Sequence, residues 1–411
     1  MYGFRMTTTH PPPVSTARII APDLARGMML LLIALANAPW HLYSYKTDGL
    51  STHDPNGGLL DRIWQGIAII AVDGRSYPLF AFLFGYGIWQ LYQRQLDAGA
   101  DRQQAHRLLE RRHLWMLLFG AVHAALLWGG DIIGAYGLVG LLVCWLFLDR
   151  RDRTIAFWAS LFSGLLAVMG IGFVVLGFIV GPPAAGEEGI SLPNPAGAES
   201  YLFSIVLRLG MWVGITLGQG VLMLAVPAAI LLAILAARHR VLEQPERHRQ
   251  LLIGAALAGV PLAWAGGALA FAGFTGAFPE LPNWTFELLS TATGLAGGLG
   301  YAAIFGLIGA AMQHRTLGPI GRALTAVGKR SMTSYLLQSV LFIPVLAAWG
   351  LGLGGVLAEW QGALYGVGVW LATVVIAVQL DKRGQRGPFE QLLRKLAYPR
   401  DAKAQATAVR R

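Results

Sequence analysis

"TIAFWASLFSGLLAVMGIGFVVLGFIV", residues 154–180, runs 27 positions without a charged side chain. About 20 predominantly apolar residues in a helix cross the hydrocarbon core of a bilayer. The run is continuous and lacks the ~10-residue alternating segments of an outer-membrane barrel. It therefore reads as a transmembrane helix. The rest of the chain agrees, being 55% hydrophobic and 13% charged over 411 residues. A soluble domain carries roughly 25% charged residues, and the mean hydropathy here is +0.53. The expected fold class is all-α, a polytopic transmembrane helix bundle.

Working outward, ten spans are expected, near 24–42, 62–93, 113–129, 131–148, 154–180, 202–237, 250–273, 285–313, 331–349 and 362–380. The net charge of +10 then sorts itself: 27 of the 32 Lys and Arg residues fall in the two termini and in every second loop. The opposite loops hold only Lys46 and Arg62. This alternation is the positive-inside pattern. It places both termini in the cytoplasm and leaves no nucleic-acid footprint. The division expected along the chain is a flexible tail at 1–17, an N-terminal membrane half at 18–240 with the candidate site, a C-terminal half at 241–398, and a basic tail at 399–411. Ala36-Asn37-Ala38 after an apolar run imitates a signal-peptide cleavage site. Pro39 follows directly, so an uncleaved first span is expected.

Span two is too long for a bilayer, at 32 residues and ~48 Å. The interruption VDGRSYP (72–78) is expected to break it, and broken backbone at membrane depth must be buried or line a cavity. The single cysteine, Cys144, excludes an intrachain disulfide and reads as a small core residue. There is no Walker A, GxSxG, HExxH or CxxC motif, and no metal-ligand spacing, so no metal is expected.

The information lies in polar residues placed inside spans, where they are costly. Span one carries Asp23, Arg26, Asn37 and His41. Asp23 and Arg26 can pair at i,i+3, and Arg26 and Asn37, eleven residues apart, share a face. A snorkelling arginine with a capping aspartate is the structural alternative. Arg75 stands at the break of span two, where it needs either a carboxylate, that of Asp73 or one on another helix, or the anion of a substrate or cofactor. In LFGAVHAALLWGGDIIGAYGLVGLL (118–142), Gly129-Gly130 read as a two-residue hairpin at the extracytoplasmic rim. That turn makes spans three and four antiparallel neighbours. His123 then lies ~9 Å below the turn, with Asp131 at the rim and within reach. Asp131 as a helix cap and His123 as an interhelix hydrogen-bonder are the structural alternatives. A carboxylate beside an imidazole is also what a general base needs. In span nine, Ser331, Ser334 or Tyr335, and Gln338 form a polar stripe, either helix glue or cavity lining.

These residues resemble the YeiB-like bacterial inner-membrane proteins, a family long filed as a domain of unknown function. The matching pieces are DLARGMMLLLIALAN, DGRSYPLFAFLFGYG, GAVHAALLWGGDIIGAYGLVGLL, GKRSMTSYLLQSVLF and GPFEQLLRKLAY, scattered over about 18–398. The middle, 150–310, matches in hydropathy alone. That family is distantly similar to transmembrane acyltransferases, among them the lysosomal heparan-α-glucosaminide N-acetyltransferase and the acyltransferase-three proteins. The resemblance implies transfer of an acyl group from cytoplasmic acyl-coenzyme A, such as acetyl-coenzyme A, to an acceptor on the far side. Acyltransferase-three proteins place a catalytic histidine where Asn37 stands here. The glucosaminide acetyltransferases also have asparagine there and use a histidine of the next outer loop, a role that would fall on His53. YeiB-like proteins share His123 instead, which puts His123 first and His53 second.

The leading expectation is an acyltransferase of the bacterial cytoplasmic membrane. His123 is its base, oriented by Asp131; Arg26 and Arg75 hold anionic groups; Asn37 and Gln338 polarise the acyl carbonyl. Asp23, His41, Ser334 and Tyr335 complete the candidate substrate site. The partners expected are the lipid bilayer and a glycan or lipid-linked acceptor, with a homodimer left open. A small-solute transporter and a non-catalytic scaffold are the competing expectations.

Overall fold

A computed structural model describes residues 20–45, 47, 51–182, 193–312 and 316–398. The tails expected at 1–17 and 399–411, and Lys46, lie outside the described residues. Every described element is helical. In chain order these are α1 (Ile20–Asn37), α2 (Leu59–Ile67), α3 (Ser76–Asp97), α4 (Arg102–Leu126), α5 (Ile133–Phe147), α6 (Asp152–Val180) and α7 (Tyr201–Leu217). They continue as α8 (Ala225–Arg238), α9 (Arg249–Phe274), α10 (Glu287–Met312), α11 (Pro319–Gly328), α12 (Ser331–Leu346), α13 (Glu359–Lys382) and α14 (Pro388–Ala397).

Among the described residues seven helical segments are long and apolar enough to cross a membrane, and α5, α8 and α12 are shorter apolar helices. The surface confirms the reading, because large apolar side chains face outward in belts. On α6, Phe157, Val168, Ile171, Val175, Phe178 and Ile179 are all exposed. A soluble protein rarely shows apolar patches on this scale; in lipid such a surface has no cost. The protein is a polytopic helical membrane protein. Its largest apolar cluster draws on residues from Ala25 to Leu393 and so joins both halves of the chain.

Span two breaks where expected. α2 ends in a π turn at Ala68–Val72, and Asp73 to Arg75 interrupt the helix before α3. Gly74 supplies the turn with φ 71°, a left-handed conformation that favours glycine. Span six departs from expectation. The single helix foreseen over 202–237 is α7, a π turn at Gly218–Leu222, and then α8. Leu224, at φ 59°, redirects the chain between the pieces. Both breaks share one design, and the inner pieces α3 and α8 pack on one another: a side chain at Gly85 would strike the Ile230 backbone at 2.8 Å.

On the basic-loop face, Arg238 and His239 both reach Asp152, and Arg330 and Lys329 reach Asp381. On the opposite face three loops are stitched together. Asn194 donates its side-chain amide to the Leu42 carbonyl (2.7 Å), and Ala348 N–H donates to Ala196 O (2.8 Å). Tyr43 donates its N–H to Gly354 O (2.9 Å) and its hydroxyl to Gly352 O (3.0 Å).

Candidate functional site

α4 and α5 form an antiparallel pair. Their connection spans Leu127–Ile132, six residues between the two helices rather than a two-residue hairpin. Small residues let it fold back into the protein. A side chain at Gly120 on α4 would collide with the Asp131 carboxylate and the Gly134 backbone. One at Gly129 would meet the Arg208 carbonyl oxygen at 2.8 Å. Asp131 therefore lies beside His123 and has no solvent exposure. This corrects the expectation of a rim position. Elements adjoining the stitched loops pack on the connection: Tyr201, the first residue of α7, donates to the Leu126 carbonyl (3.0 Å), and Trp128 packs with Ile343 and Ala347 at the end of α12.

Inside, Asp131 divides its two oxygens. One accepts the Gly134 N–H at 2.8 Å, in the first turn of α5, and the other meets His123 Nδ1 at 2.7 Å. The N-cap of α5 is Ile132, so Asp131 bonds the first turn from one residue further out while also partnering the histidine. A carboxylate accepting at Nδ1 fixes the tautomer with the proton there, which leaves the Nε2 lone pair open. His123 is 5% exposed, and its Nε2 has no protein partner. Tyr335 on α12 lies edge-on to the imidazole, 5.6 Å between ring centroids. Its hydroxyl accepts the Ile132 N–H at 3.3 Å and keeps its own proton to donate.

Around this pair other buried polar atoms also lack partners. His41 packs against Trp128 (4.2 Å) and Phe342 (4.9 Å) with its Nδ1 unsatisfied. The indole N–H groups of Trp128, Trp212 and Trp349 and the hydroxyl of Thr216 are likewise unpaired. Trp212 lies directly against Gly134, and Trp349 against Tyr201. Folded proteins satisfy nearly all buried polar groups, so the unpartnered atoms beside this pair offer places for water or a polar ligand. The tryptophans were not foreseen. Only their presence near span ends could have signalled them, and membrane tryptophans commonly sit there as interface anchors.

Gln338 donates to the Leu30 carbonyl at 3.0 Å and is buried, as is Ser334. Asn37 closes α1 and is half-buried. Asp23 and Arg26 pair at 3.5 Å near the basic face, and Arg26 also donates to the Leu83 carbonyl at 3.1 Å. From Arg26 to His41 is fifteen residues of chain, about 22 Å if wholly helical. The expected anion site and the expected base thus lie toward opposite ends of the bundle. Arg75 joins neither: it is 1% exposed and donates to the Asp73 and Ala263 carbonyls and to Ser290 Oγ. Its partner is the Asp73 backbone, not the carboxylate considered from the sequence.

His53 builds a second site. Its Nδ1 bonds Glu359, the first residue of α13, and its Nε2 meets Asp73 at 2.8 Å. The other Glu359 oxygen accepts the Asp54 N–H (3.1 Å) and the Gln65 amide (2.7 Å). Burial opposes charge on His53, yet the flanking Asp73 and Glu359 carboxylates prevail and push its pKa up to about 10. It is an imidazolium with both nitrogens engaged. Glu359, 306 residues away in sequence, was missed; a lone acid at a span mouth reads as a helix cap and gives no sign of its partner. Among the described residues no His, Cys, Asp and Glu group could hold a metal ion.

The chain compares with known proteins as follows. The uncharacterized protein YxaH of Bacillus subtilis (strain 168) is 25% identical over 414 aligned positions, covering 94% of this chain and 96% of that protein. The uncharacterized protein YeiB of Escherichia coli (strain K12) is 31% identical over 173 positions, 39% of this chain and 38% of that one. An uncharacterized 39.9 kDa protein from the amylase 3' region of Bacillus acidopullulyticus is 29% identical over 152 positions, covering 37% and 39%. The likeness expected from the motifs is thus found, and residues 236–400 match the family described as "Protein of unknown function (DUF418)".

Proposed function

We propose that the protein is an acyltransferase of the bacterial cytoplasmic membrane. It would move an acetyl or other acyl group from acyl-coenzyme A to a hydroxyl or amine of a glycan or lipid-linked acceptor on the opposite side. The observation that carries this reading is the buried His123–Asp131 pair, with Nε2 open among unpaired polar groups. His123 Nε2 takes the acceptor proton as the acceptor oxygen or nitrogen attacks the thioester carbonyl. Asp131 stabilises the resulting imidazolium, which returns the proton to the leaving thiolate. Tyr335 O–H would donate to the developing oxyanion. The tryptophan N–H groups suit a hydroxyl-rich acceptor, offering donors on aromatic faces. Arg26, at the basic face, is the candidate contact for a coenzyme A phosphate.

The test is a single turnover with radiolabelled acetyl-coenzyme A and candidate glycan or lipid-linked acceptors, using purified protein in detergent. Label should move with the wild type and not with His123→Ala, while donor binding stays intact. Transfer undiminished in that variant would remove His123 from the chemistry.

One observation favours transport as a second reading. Two helices broken alike, with packed inner halves, are a recurring frame for alternating access. Solute flux in proteoliposomes lacking any acyl donor, lost in Asp131→Asn, would support it over acyl transfer.

A further inference from the structure

A groove of about 560 Å³ lies on the outside of the bundle, where α2 and its π turn run beside α9. Ile63, Ile67, Ile70, Trp264 and Phe271 form its walls, and Arg62 is the charged residue at it. Gly66 faces the Phe271 ring, and Ile69 and Ile70 lie against Gly267, so the two helices are antiparallel. The groove therefore runs inward from Arg62, at the base-poor face, towards Ala71 and Trp264, about 13 Å of helix rise. Its outer lip is built for an interface: Leu59 is 77% exposed, and Leu60, Ile63 and Ile67 are exposed on the same short helix.

Arg62 gives the groove a chemical preference. With Lys46 it is one of two Lys or Arg residues between the end of α1 and the break in span two. Its guanidinium donates to neutral oxygens, the Gln65 side chain at 3.1 Å and the Pro55 carbonyl, and lies over the Phe274 ring at 5.2 Å. Among the described residues no carboxylate lies within ion-pair distance of it. A guanidinium with no carboxylate in direct contact, at the mouth of an apolar slot that opens sideways towards lipid, complements one kind of molecule: a chain for the slot and a phosphate for the guanidinium.

We propose that this groove is a binding site for an anionic phospholipid of the outer leaflet, with one acyl chain between α2 and α9 and the phosphate on Arg62. The inference is independent of the acyl-transfer reading. Trp264 supplies the readout, because it lines the groove and is itself part-exposed. The full chain is reconstituted in vesicles of phosphatidylglycerol or phosphatidylcholine carrying brominated acyl chains, which quench tryptophan on contact. The difference between wild type and Trp264→Phe isolates this one indole among thirteen.

The Trp264 signal should report phosphatidylglycerol bound about fivefold more tightly than phosphatidylcholine, the effect of one favourable basic contact. Arg62→Gln should bring the ratio to about one, and Arg62→Lys should keep it. A ratio near one in the wild type would overturn the proposal. So would a preference that survives Arg62→Gln, or an indole that neither lipid quenches because protein covers the groove. The wild-type ratio needs no variant at Arg62, so a folding defect there cannot hide the answer.

Discussion

Two buried histidines, His123 and His53, each face carboxylate, and they differ in one valence. At His123, Asp131 occupies Nδ1, and Nε2 has no partner. At His53, Glu359 and Asp73 take both nitrogens. The first arrangement leaves a lone pair that can accept a proton. The second consumes both and holds an imidazolium at neutral pH that ties the loop after α1 to α13 and to the break in span two. Proximity of histidine to acid is thus no sign of catalysis by itself; what counts is which nitrogen is left over.

The largest expected effect sharpens that contrast directly. His123→Ala should lower acyl transfer by about 10²–10⁴-fold, the usual contribution of a positioned acid–base group. His53→Ala, with its fold checked, should lower it less than about tenfold on the same scale. Equal losses in single-turnover rate would erase the distinction. Next, Asp131→Asn should cut transfer by about 10²-fold or more, because an amide can donate to Nδ1 and so put the lone pair on the wrong nitrogen. The rate alone should fall, with acyl-coenzyme A binding unchanged in equilibrium dialysis.

The His53 site should instead answer to stability. Glu359→Gln leaves a buried imidazolium short of one counter-charge and should cost about 3–5 kcal/mol, read as a lowered thermal midpoint. The pH dependence follows from the raised pKa. A histidine held at about 10 in the fold and near 6.5 unfolded contributes stability that is full below ~6.5 and lost as pH rises through about 10. The thermal midpoint of the wild type should therefore decline between neutral pH and about pH 10, and His53→Asn should flatten that decline. An identical slope in both proteins would exclude the clamp.

How far these features could be read from the residues depended on distance along the chain. The spans were legible because a bilayer demands long apolar runs, and 154–180 satisfies that demand without help from any neighbour. Asp73-Gly74-Arg75 announced the break in span two by putting two charges and a turn-former inside an apolar run. The break in span six was hidden, since the polar residues around Gly218, Gly220 and Pro227 are only the uncharged Thr216 and Gln219, with no pair of charges like that at 73–75. His123 and Asp131, only eight residues apart, could be joined by reasoning about one connection. The depth of Asp131 could not, because it depends on Trp128, Tyr201 and elements far away packing on the connection. Long-range pairs such as His53 with Glu359 leave no periodicity to find.

The stitched loops near Leu127–Ile132 carry a consequence for timing. A reaction at His123 would begin and end with parting at least some of the bonds around Tyr43, Asn194 and Ala348, an event in the microsecond-to-millisecond range of lid motions. Turnover would then follow the rate at which this cover lifts. Weakening a single stitch, as in Asn194→Ala, would speed release and at the same time admit water to compete for the acyl group.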